Sequence, residues 1–287
     1  MKTIWHELNC FRNHKDSLPV DADLPAEQHQ PAGTTTVWCF TERRMMDCLI
    51  RNISMNIIIT GASKGFGKSL AELFALNGHT LYICSRNEAL LFTTRDELIS
   101  RFPECVIYAK AFDVSIKEQA QAFGQWVLSF NIPVDVLINN AGSFEPGSVN
   151  NEPEGTLENM MAVNLYSAYH LTRILIPSMV TRKSGHVFNM CSIASLQAYA
   201  NGGAYSISKF ALAGFSKNLR EEMKPYGIKV TTVYPGAAYT DSWSGSGVNP
   251  ERIMESDDIA KMIYAASQLS PQACVEDIIL RPQLGDL

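Results

Sequence analysis

Residues 56–67 read Asn-Ile-Ile-Ile-Thr-Gly-Ala-Ser-Lys-Gly-Phe-Gly, and this stretch decides the fold. Three consecutive isoleucines are typical of a short strand that a parallel sheet buries on both faces. Glycines follow at once, and a helical apolar period begins directly after them. A strand, a glycine-rich turn and a helix in this order indicate a βα unit whose backbone can approach a phosphate closely, because glycine has no Cβ in the way.

The glycine-rich turn predicts a dinucleotide site. Its spacing is G-x-x-x-G-x-G rather than the commoner G-x-G-x-x-G. The N-terminus of the following helix offers free N–H groups and the positive end of a dipole to a pyrophosphate. A merely structural turn is the alternative. The candidate residues are Gly61, Ser63, Lys64, Gly65, Phe66 and Gly67.

Apolar strand patterns alternate with helical patterns from residue 56 onward. The predicted strands are 57–59, 80–84, 105–112, 134–138, 186–190, 229–233 and 275–280, and the helices after the first one are 87–102, 115–130, 155–181, 203–224 and 256–269. Repeated βαβ units with right-handed crossovers predict an α/β fold, a single Rossmann-type doubly wound parallel sheet of about seven strands with helices on both faces. Residues 55–287 are assigned to this catalytic domain.

Residues 1–54 are predicted to form an irregular N-terminal leader. Three prolines and one glycine lie among polar residues at 16–36, which is typical of loop or disorder. One interpretation is an extension that caps, regulates or targets the domain. The other, which we favour, is that Met55 is the true initiator, because regular structure starts directly after it. The intact mass of the natively expressed protein distinguishes the two.

Composition excludes several function classes. The net charge of −5 argues against a nucleic-acid partner. The sequence has no apolar run near the roughly 18–20 residues that a membrane span needs, so no membrane association is predicted. The seven cysteines are odd in number and form no C-x-x-C pair, which favours a reducing, cytoplasmic setting and predicts no metal site.

Arg86 decides which dinucleotide is expected. A site for NAD carries Asp or Glu about 20 residues past the glycines, where it accepts from the ribose 2′-hydroxyl. This chain has Cys-Ser-Arg-Asn at 84–87. A guanidinium can clamp a 2′-phosphate, and Lys64 adds a second cation, so NADP(H) is predicted rather than a solvated surface pair.

Two further strand ends are expected to meet the cofactor. Asp113 follows the third strand and is placed to contact the adenine amino group, to cap the next helix, or to do both. The sequence Asn-Asn-Ala-Gly at 139–142 closes the fourth strand. Asn140 and Ala141 belong to this turn, whose asparagines can tie the strand to its neighbour, while Gly142 lets the cofactor pass close.

Tyr205 and Lys209 carry the predicted chemistry. They lie one turn apart on the same face of a predicted helix. A cation at this spacing favours the phenolate and is expected to lower the pKa of Tyr205 from its usual value of about 10 toward working pH. Ser192 follows the strand at 186–190, where its hydroxyl can point at the same place.

These motifs together resemble the classical short-chain dehydrogenase/reductase family, and specifically NADP-preferring, bacterial sepiapterin-reductase-like members. The resemblance covers residues 56–287. It is carried by Thr60-Gly-x-x-x-Gly-x-Gly67, Asn139-Asn-Ala-Gly142, Asn164, Ser192, Tyr205-x-x-x-Lys209 and Pro235-Gly236-x-x-x-Thr240.

The resemblance implies a role for each matched residue. Tyr205 would be the general acid that protonates a carbonyl oxygen, and Ser192 would hold that oxygen. Lys209 would bind the nicotinamide ribose and tune Tyr205. Asn164 would seat a water that links Lys209 to solvent, and Thr240, after the turn at Pro235 and Gly236, would hold the carboxamide.

The expected activity is NADPH-dependent reduction of a carbonyl to an alcohol, with a sepiapterin-like or other small dicarbonyl substrate. A 3-oxoacyl-thioester reductase and a hydroxy-acid dehydrogenase are alternatives within the family. A dinucleotide-sensing regulator is the non-enzymatic alternative, although such proteins usually lose the Tyr or the Lys. The resemblance also implies a homodimer or homotetramer.

Substrate specificity is expected to come from three segments. These are the loops at 144–151 and 195–202, together with a short glycine-rich lid at 241–248. Tyr199, Tyr239 and Trp243 could stack on a flat ring or simply line the pocket.

Overall fold

The structure is a computed structural model that describes residues 54–240 and 247–286. The predicted leader, apart from its last residue Ser54, lies outside the described residues. Most of the predicted lid, including Trp243, lies outside them as well. The predictions for these two segments therefore stay predictions.

Nine strands are described. They are β1 Asn56–Thr60, β2 Thr80–Ser85, β3 Ile107–Ala111, β4 Val136–Asn139, β5 Gly185–Met190, β6 Ile228–Pro235, β7 Ala238–Tyr239, β8 Met254–Glu255 and β9 Asp277–Leu280. Seven of them form one parallel sheet in the order β3-β2-β1-β4-β5-β6-β9. The order reverses between β1 and β4, so a crevice opens at the carboxyl ends of these neighbouring strands.

Helices connect the strands. They are α1 Gly65–Leu76, α2 Glu88–Arg101, α3 Lys117–Leu128, α4 Thr156–Met161, α5 Ser167–Arg182, α6 Gly203–Met223 and α7 Ser256–Ser267. A π-helical segment at Ala162–Tyr166 joins α4 to α5. In the described part of the chain, no helix is both long and apolar enough to cross a lipid bilayer.

The three isoleucines of β1 show why the sheet is covered on both faces. Ile57 and Ile59 pack in one core cluster with side chains of α1, α2 and α7. Ile58, between them, packs in a second cluster with side chains of α3, α5 and α6. Alternate residues of a strand point to opposite faces, so a continuous apolar run requires a helix layer on each side. The predicted fold class is confirmed.

Most predicted boundaries lie within two residues of the observed ones, and two features differ. The helix predicted at 155–181 is interrupted by the π-helical segment. The sequence does not predict this interruption, because an i→i+5 hydrogen bond leaves no mark in the apolar period. The small parallel pair β7 and β8 was not predicted, since two-residue strands are too short to show a period of two.

Candidate active site

A cleft of about 300 Å³ lies at the carboxyl end of the sheet. It brings together residues from loops that are far apart in sequence. The predicted residues that line it are Gly61, Ser63, Lys64, Gly65, Phe66, Arg86, Asp113, Asn140, Ala141, Gly142, Tyr205, Lys209, Pro235 and Thr240. The structure therefore brings most of the predicted site residues together around one cleft.

The glycine loop needs its glycines for two different reasons. Gly61 and Gly65 have φ values of 67° and 51°, in the left-handed region that favours glycine. Gly67 is buried beneath the cleft rather than lining it. A Cβ at Gly67 would lie 2.2 Å from the carbonyl oxygen of Gly61, so this position packs the first turn of α1 against the loop.

Hydrogen bonds fix the end of β4 against the end of β1. The Thr60 hydroxyl accepts from the backbone N–H groups of Asn140 and Ala141, at 3.0 and 2.9 Å. The Asn140 side chain donates to the carbonyl oxygens of Thr60 and Gly61, at 2.9 and 3.1 Å. The expectation that this turn ties two strands together is confirmed. A Cβ at Gly142 would lie 3.3 Å from the Lys209 ammonium, so glycine keeps the space beside Lys209 open.

Two basic side chains and one carboxylate lie in the loops just after β1, β2 and β3. Lys64 and Arg86 are both exposed and both line the cleft. The Asp113 carboxylate accepts from the backbone N–H and the hydroxyl of Ser115, at 3.0 and 2.6 Å. Asp113 therefore orders the turn before α3 while it lines the cleft. It is not the capping residue of that helix, because α3 begins at Lys117 with Ile116 at the capping position.

The Ser192 side chain lies beside the Tyr205 hydroxyl, close to the cleft. Ser192 follows β5 and caps a short 3₁₀ turn at Ile193–Ser195, where its hydroxyl accepts from the N–H of Ala194 at 3.2 Å. This bond holds the Ser192 side chain in place. The Lys209 ammonium donates to the carbonyl oxygen of Met190 at 2.8 Å and lies 5.8 Å from the centre of the Tyr205 ring.

Burial shifts the pKa values of Tyr205 and Lys209 in opposite directions. It raises the pKa of Tyr205 to about 12, with the Ser192 hydrogen bond acting in the opposite direction. Burial also lowers the pKa of Lys209 to about 8. The prediction that Lys209 brings the pKa of Tyr205 below its usual value is wrong in this structure, because desolvation of the phenolate outweighs the favourable effects. The phenol is therefore protonated at neutral pH.

Asn164 lies in the π-helical segment and is buried. Its side-chain oxygen accepts from the N–H of Ser143 at 2.9 Å. Its amide donates to the carbonyl oxygen of Ser143 at 3.1 Å and to the hydroxyl of Ser208 at 2.9 Å. Asn164 thus joins the loop after β4 to the helix that carries Tyr205, and the π-helical register is typical of functional positions.

Gly236 lies outside the cleft: its N–H donates to the carbonyl oxygen of Leu280 at 2.7 Å, which anchors the chain beyond β6 to the end of β9. Phe144 belongs to the predicted specificity loop at 144–151, and its contact with Tyr205 is a feature that the sequence did not predict. Its ring meets the Tyr205 ring edge-on at 4.9 Å between centres. Its position two residues after the Asn-Asn-Ala-Gly turn was the available signal.

Within the described residues, no three side chains of His, Cys, Asp or Glu are grouped to hold a metal ion.

Comparison with known sequences agrees with the motif set. The family model for short chain dehydrogenases matches residues 55–249. Sepiapterin reductase of Chlorobaculum tepidum is 29% identical over 239 residues, covering 80% of this chain and 97% of that protein.

Comparison with solved structures agrees with the fold. A metagenomic short-chain oxidoreductase in complex with NADP matches with a TM-score of 0.70 at 27% identity, covering 80% of this chain and 97% of that one. An alcohol dehydrogenase from the archaeon Thermococcus sibiricus, complexed with 5-hydroxy-NADP, matches with a TM-score of 0.74 at 26% identity, with the same coverage of both chains.

Proposed function

The chain belongs to the short chain dehydrogenase family, and we propose that it is an NADPH-dependent oxidoreductase that reduces a carbonyl to an alcohol. One observation carries the proposal. The Tyr205 phenol, with Ser192 beside it, lines the same cleft as the glycine loop and Arg86. A proton donor in the cleft that holds the glycine loop suits the interconversion of C=O and CH–OH.

The residues around the cleft fit NADP(H). A Cβ at Gly61 would lie 3.0 Å from the Cα of Ala141, so glycine lets the loop pack closely against the turn after β4. A glycine-rich loop that opens a helix is typical of a pyrophosphate site. Arg86 stands where an NAD site carries an acid, and with Lys64 it supplies positive charge for a 2′-phosphate. The residues that would hold the other parts are Asp113 at the adenine, Asn140, Ala141 and Gly142 along the ribose, Lys209 at the nicotinamide ribose, and Pro235 and Thr240 at the carboxamide.

Each catalytic side chain then has one task. Bound NADPH supplies the hydride that reduces the carbonyl carbon. The Tyr205 phenol donates its proton to the carbonyl oxygen, which the Ser192 hydroxyl also holds. The Lys209 ammonium stabilises the phenolate that remains on Tyr205, since an opposite charge nearby favours the ionised form. A water at Asn164 returns a proton to Tyr205 through Lys209.

The preferred substrate is sepiapterin or another small dicarbonyl. The sepiapterin reductase of Chlorobaculum tepidum supports this choice, because 97% of its length aligns with this chain. Reduction of a 3-oxoacyl thioester and oxidation of a hydroxy acid use the same residues and remain the alternatives. A dinucleotide-sensing regulator would need the cleft but not the Ser192–Tyr205 pair.

A substrate panel tests the proposal. Purified protein is given NADPH with sepiapterin, diacetyl and acetoacetyl thioesters, and the loss of NADPH absorbance is followed. The highest kcat/KM with sepiapterin or diacetyl supports the proposed substrate class. The highest value with the thioester supports the first alternative, and tight NADPH binding without turnover on the whole panel supports the regulator.

We also propose that the protein is a homo-oligomer, a dimer or a tetramer. Exposed apolar side chains on the π-helical segment, α5 and α6 support this, notably Tyr166, Tyr169, Ile207 and Phe210. Light scattering coupled to size-exclusion chromatography tests it. A monomer mass at micromolar concentration would contradict it. The cytoplasmic location remains a prediction from the sequence.

Replacing Gly67 by alanine is expected to damage cofactor binding. The added Cβ meets backbone, the Gly61 carbonyl at 2.2 Å, so the loop itself has to move. Because a displacement of about 1 Å can cost about 100-fold in rate, we expect kcat/KM for NADPH to fall by about this factor.

Gly78→Ala is the matched control for the Gly67 variant. Gly78 has a positive φ of 74°, which Gly67 does not, but no atom lies within 4 Å of its added Cβ, and Gly78 does not line the cleft. We expect this control to lower the thermal midpoint without raising the Kd for NADPH, measured by fluorescence titration. Equal NADPH affinity in the Gly67 variant and the wild type would refute the proposed role of the loop.

A further inference from the structure

Two loops are fastened to each other, and the first of them reaches the cleft through Ser143 and Phe144. We call them the mouth loops, residues 143–152 after β4 and residues 196–202 after the 3₁₀ turn. The backbone N–H of Gly147 donates to the carbonyl oxygen of Asn201 at 3.1 Å, and the Ser148 hydroxyl donates to the Asn201 side chain at 2.8 Å. These bonds limit the independent movement of the two loops.

The mouth loops are also fastened to the helix that carries Tyr205. The Glu152 carboxylate accepts from the backbone N–H of Ala204 at 3.0 Å, at the start of α6, where a negative charge is favoured. A Cβ at Gly203 would lie 2.5 Å from both the Glu152 carboxylate and the Gly147 carbonyl. Side chains on the mouth loops therefore hold a defined position relative to Tyr205.

Phe144 is the mouth-loop side chain that touches Tyr205. The two rings meet at 84° in a T-shaped contact. Such a contact covers at most one face of either ring, so at least one face of Phe144 is free of Tyr205. The Phe144 side chain is 48% exposed although it lines the cleft, and Tyr199 on the other mouth loop is 47% exposed. Exposed aromatic surface next to a proton donor is favourable to cover with an apolar, flat group.

The charge distribution agrees with an uncharged substrate on this side. Of the described residues that line the cleft, those with charged side chains are Lys64, Arg86, Asp113 and Lys209. The first three follow β1, β2 and β3, which form one half of the sheet. Phe144 follows β4 and Tyr205 lies after β5, in the other half, where Val163, Met190 and Cys191 add apolar lining. Lys209 is the charged lining residue of that half, and the proposed function assigns it to the nicotinamide ribose.

We propose that Phe144 is a specificity-determining residue that selects carbonyl compounds carrying a flat unsaturated ring beside the reacting carbonyl. The inference rests on the proposed carbonyl-reductase function and names the substrate class of that site. The ring of the substrate stacks on Phe144, and its carbonyl oxygen then reaches the Tyr205 hydroxyl. An aliphatic chain gains less from this contact, because it offers no flat face.

Phe144→Ala tests the proposal with two dicarbonyls that differ in one group. Acetylbenzoyl is the phenyl analogue of diacetyl. We expect the ratio of kcat/KM for acetylbenzoyl to that for diacetyl to fall about tenfold or more in the variant, since removing an apolar contact is worth about 10- to 200-fold in discrimination. Phe144→Trp keeps a flat surface and is expected to retain the preference for the phenyl compound.

Tyr226→Ala is the control, because Tyr226 is an exposed aromatic that does not line the cleft. Its ratio should equal the wild-type ratio. An unchanged ratio in Phe144→Ala, with both substrates still reduced and NADPH still bound, would overturn the role of Phe144 alone. Failure of the wild type to reduce either dicarbonyl, with another carbonyl of the panel still reduced, would overturn this inference and leave the carbonyl-reductase function standing. Failure with every carbonyl of the panel would overturn the proposed function, and this inference with it.

Discussion

Tyr205→Phe is expected to lower kcat for carbonyl reduction by about 10²- to 10⁴-fold, the usual contribution of a general acid. Phenylalanine keeps the ring that contacts Phe144 and removes the hydroxyl that Ser192 hydrogen-bonds. Burial holds the phenol protonated well above neutral pH, so the residue is in the right form to donate in the reductive direction. NADPH binding should be retained, because the glycine loop and Arg86 are untouched.

Single-turnover kinetics and fluorescence titration with NADPH measure the two expected effects separately. Tyr226→Phe is the matched control, since it removes a phenol hydroxyl from an exposed residue outside the cleft. A Tyr205→Phe variant with wild-type kcat would show that the proton comes from another group.

Arg86→Ala is expected to lower the preference for NADPH over NADH by about 10- to 100-fold. Hydrogen bonds to charged groups contribute about 1.5–3 kcal/mol, and NADPH loses this contribution in the variant. Binding of NADH is unaffected, because NADH has no 2′-phosphate. The ratio of kcat/KM for the two cofactors is the measurement. The preference of the wild type should also weaken with added salt, because Arg86 is exposed.

Arg95→Ala is the control for charge. Arg95 pairs with Asp96 at 2.7 Å on the surface of α2 and does not line the cleft. It should leave the cofactor preference unchanged. An Arg86→Ala variant with the wild-type NADPH preference would show that the phosphate is held elsewhere, with Lys64 the next residue to replace.

The sequence predicts the sheet well because its signals are local. The Ile57–Ile59 run could be assigned to a strand buried on two sides, and the two core clusters on opposite faces of β1 confirm this assignment. The residues at strand ends could be expected to meet, because parallel strands bring their carboxyl ends to one edge.

The remaining features depend on tertiary contacts that no local pattern records. Asn164, in the π-helical segment, hydrogen-bonds Ser143 and Ser208, which are distant in sequence. The direction of the Tyr205 pKa shift depends on how deeply the folded chain buries the phenol. The edge contact of Phe144 depends on how the mouth loops are fastened to α6.

Transfer of deuterium tests the central claim most directly. NADPH deuterated at both C4 positions of the nicotinamide is incubated with the protein and acetylbenzoyl, and the product is analysed by mass spectrometry. We predict an alcohol one mass unit heavier than the product from unlabelled NADPH, with Tyr205→Phe forming far less of it. An unlabelled alcohol, or no alcohol from any carbonyl of the panel while NADPH binds tightly, would contradict the proposed function.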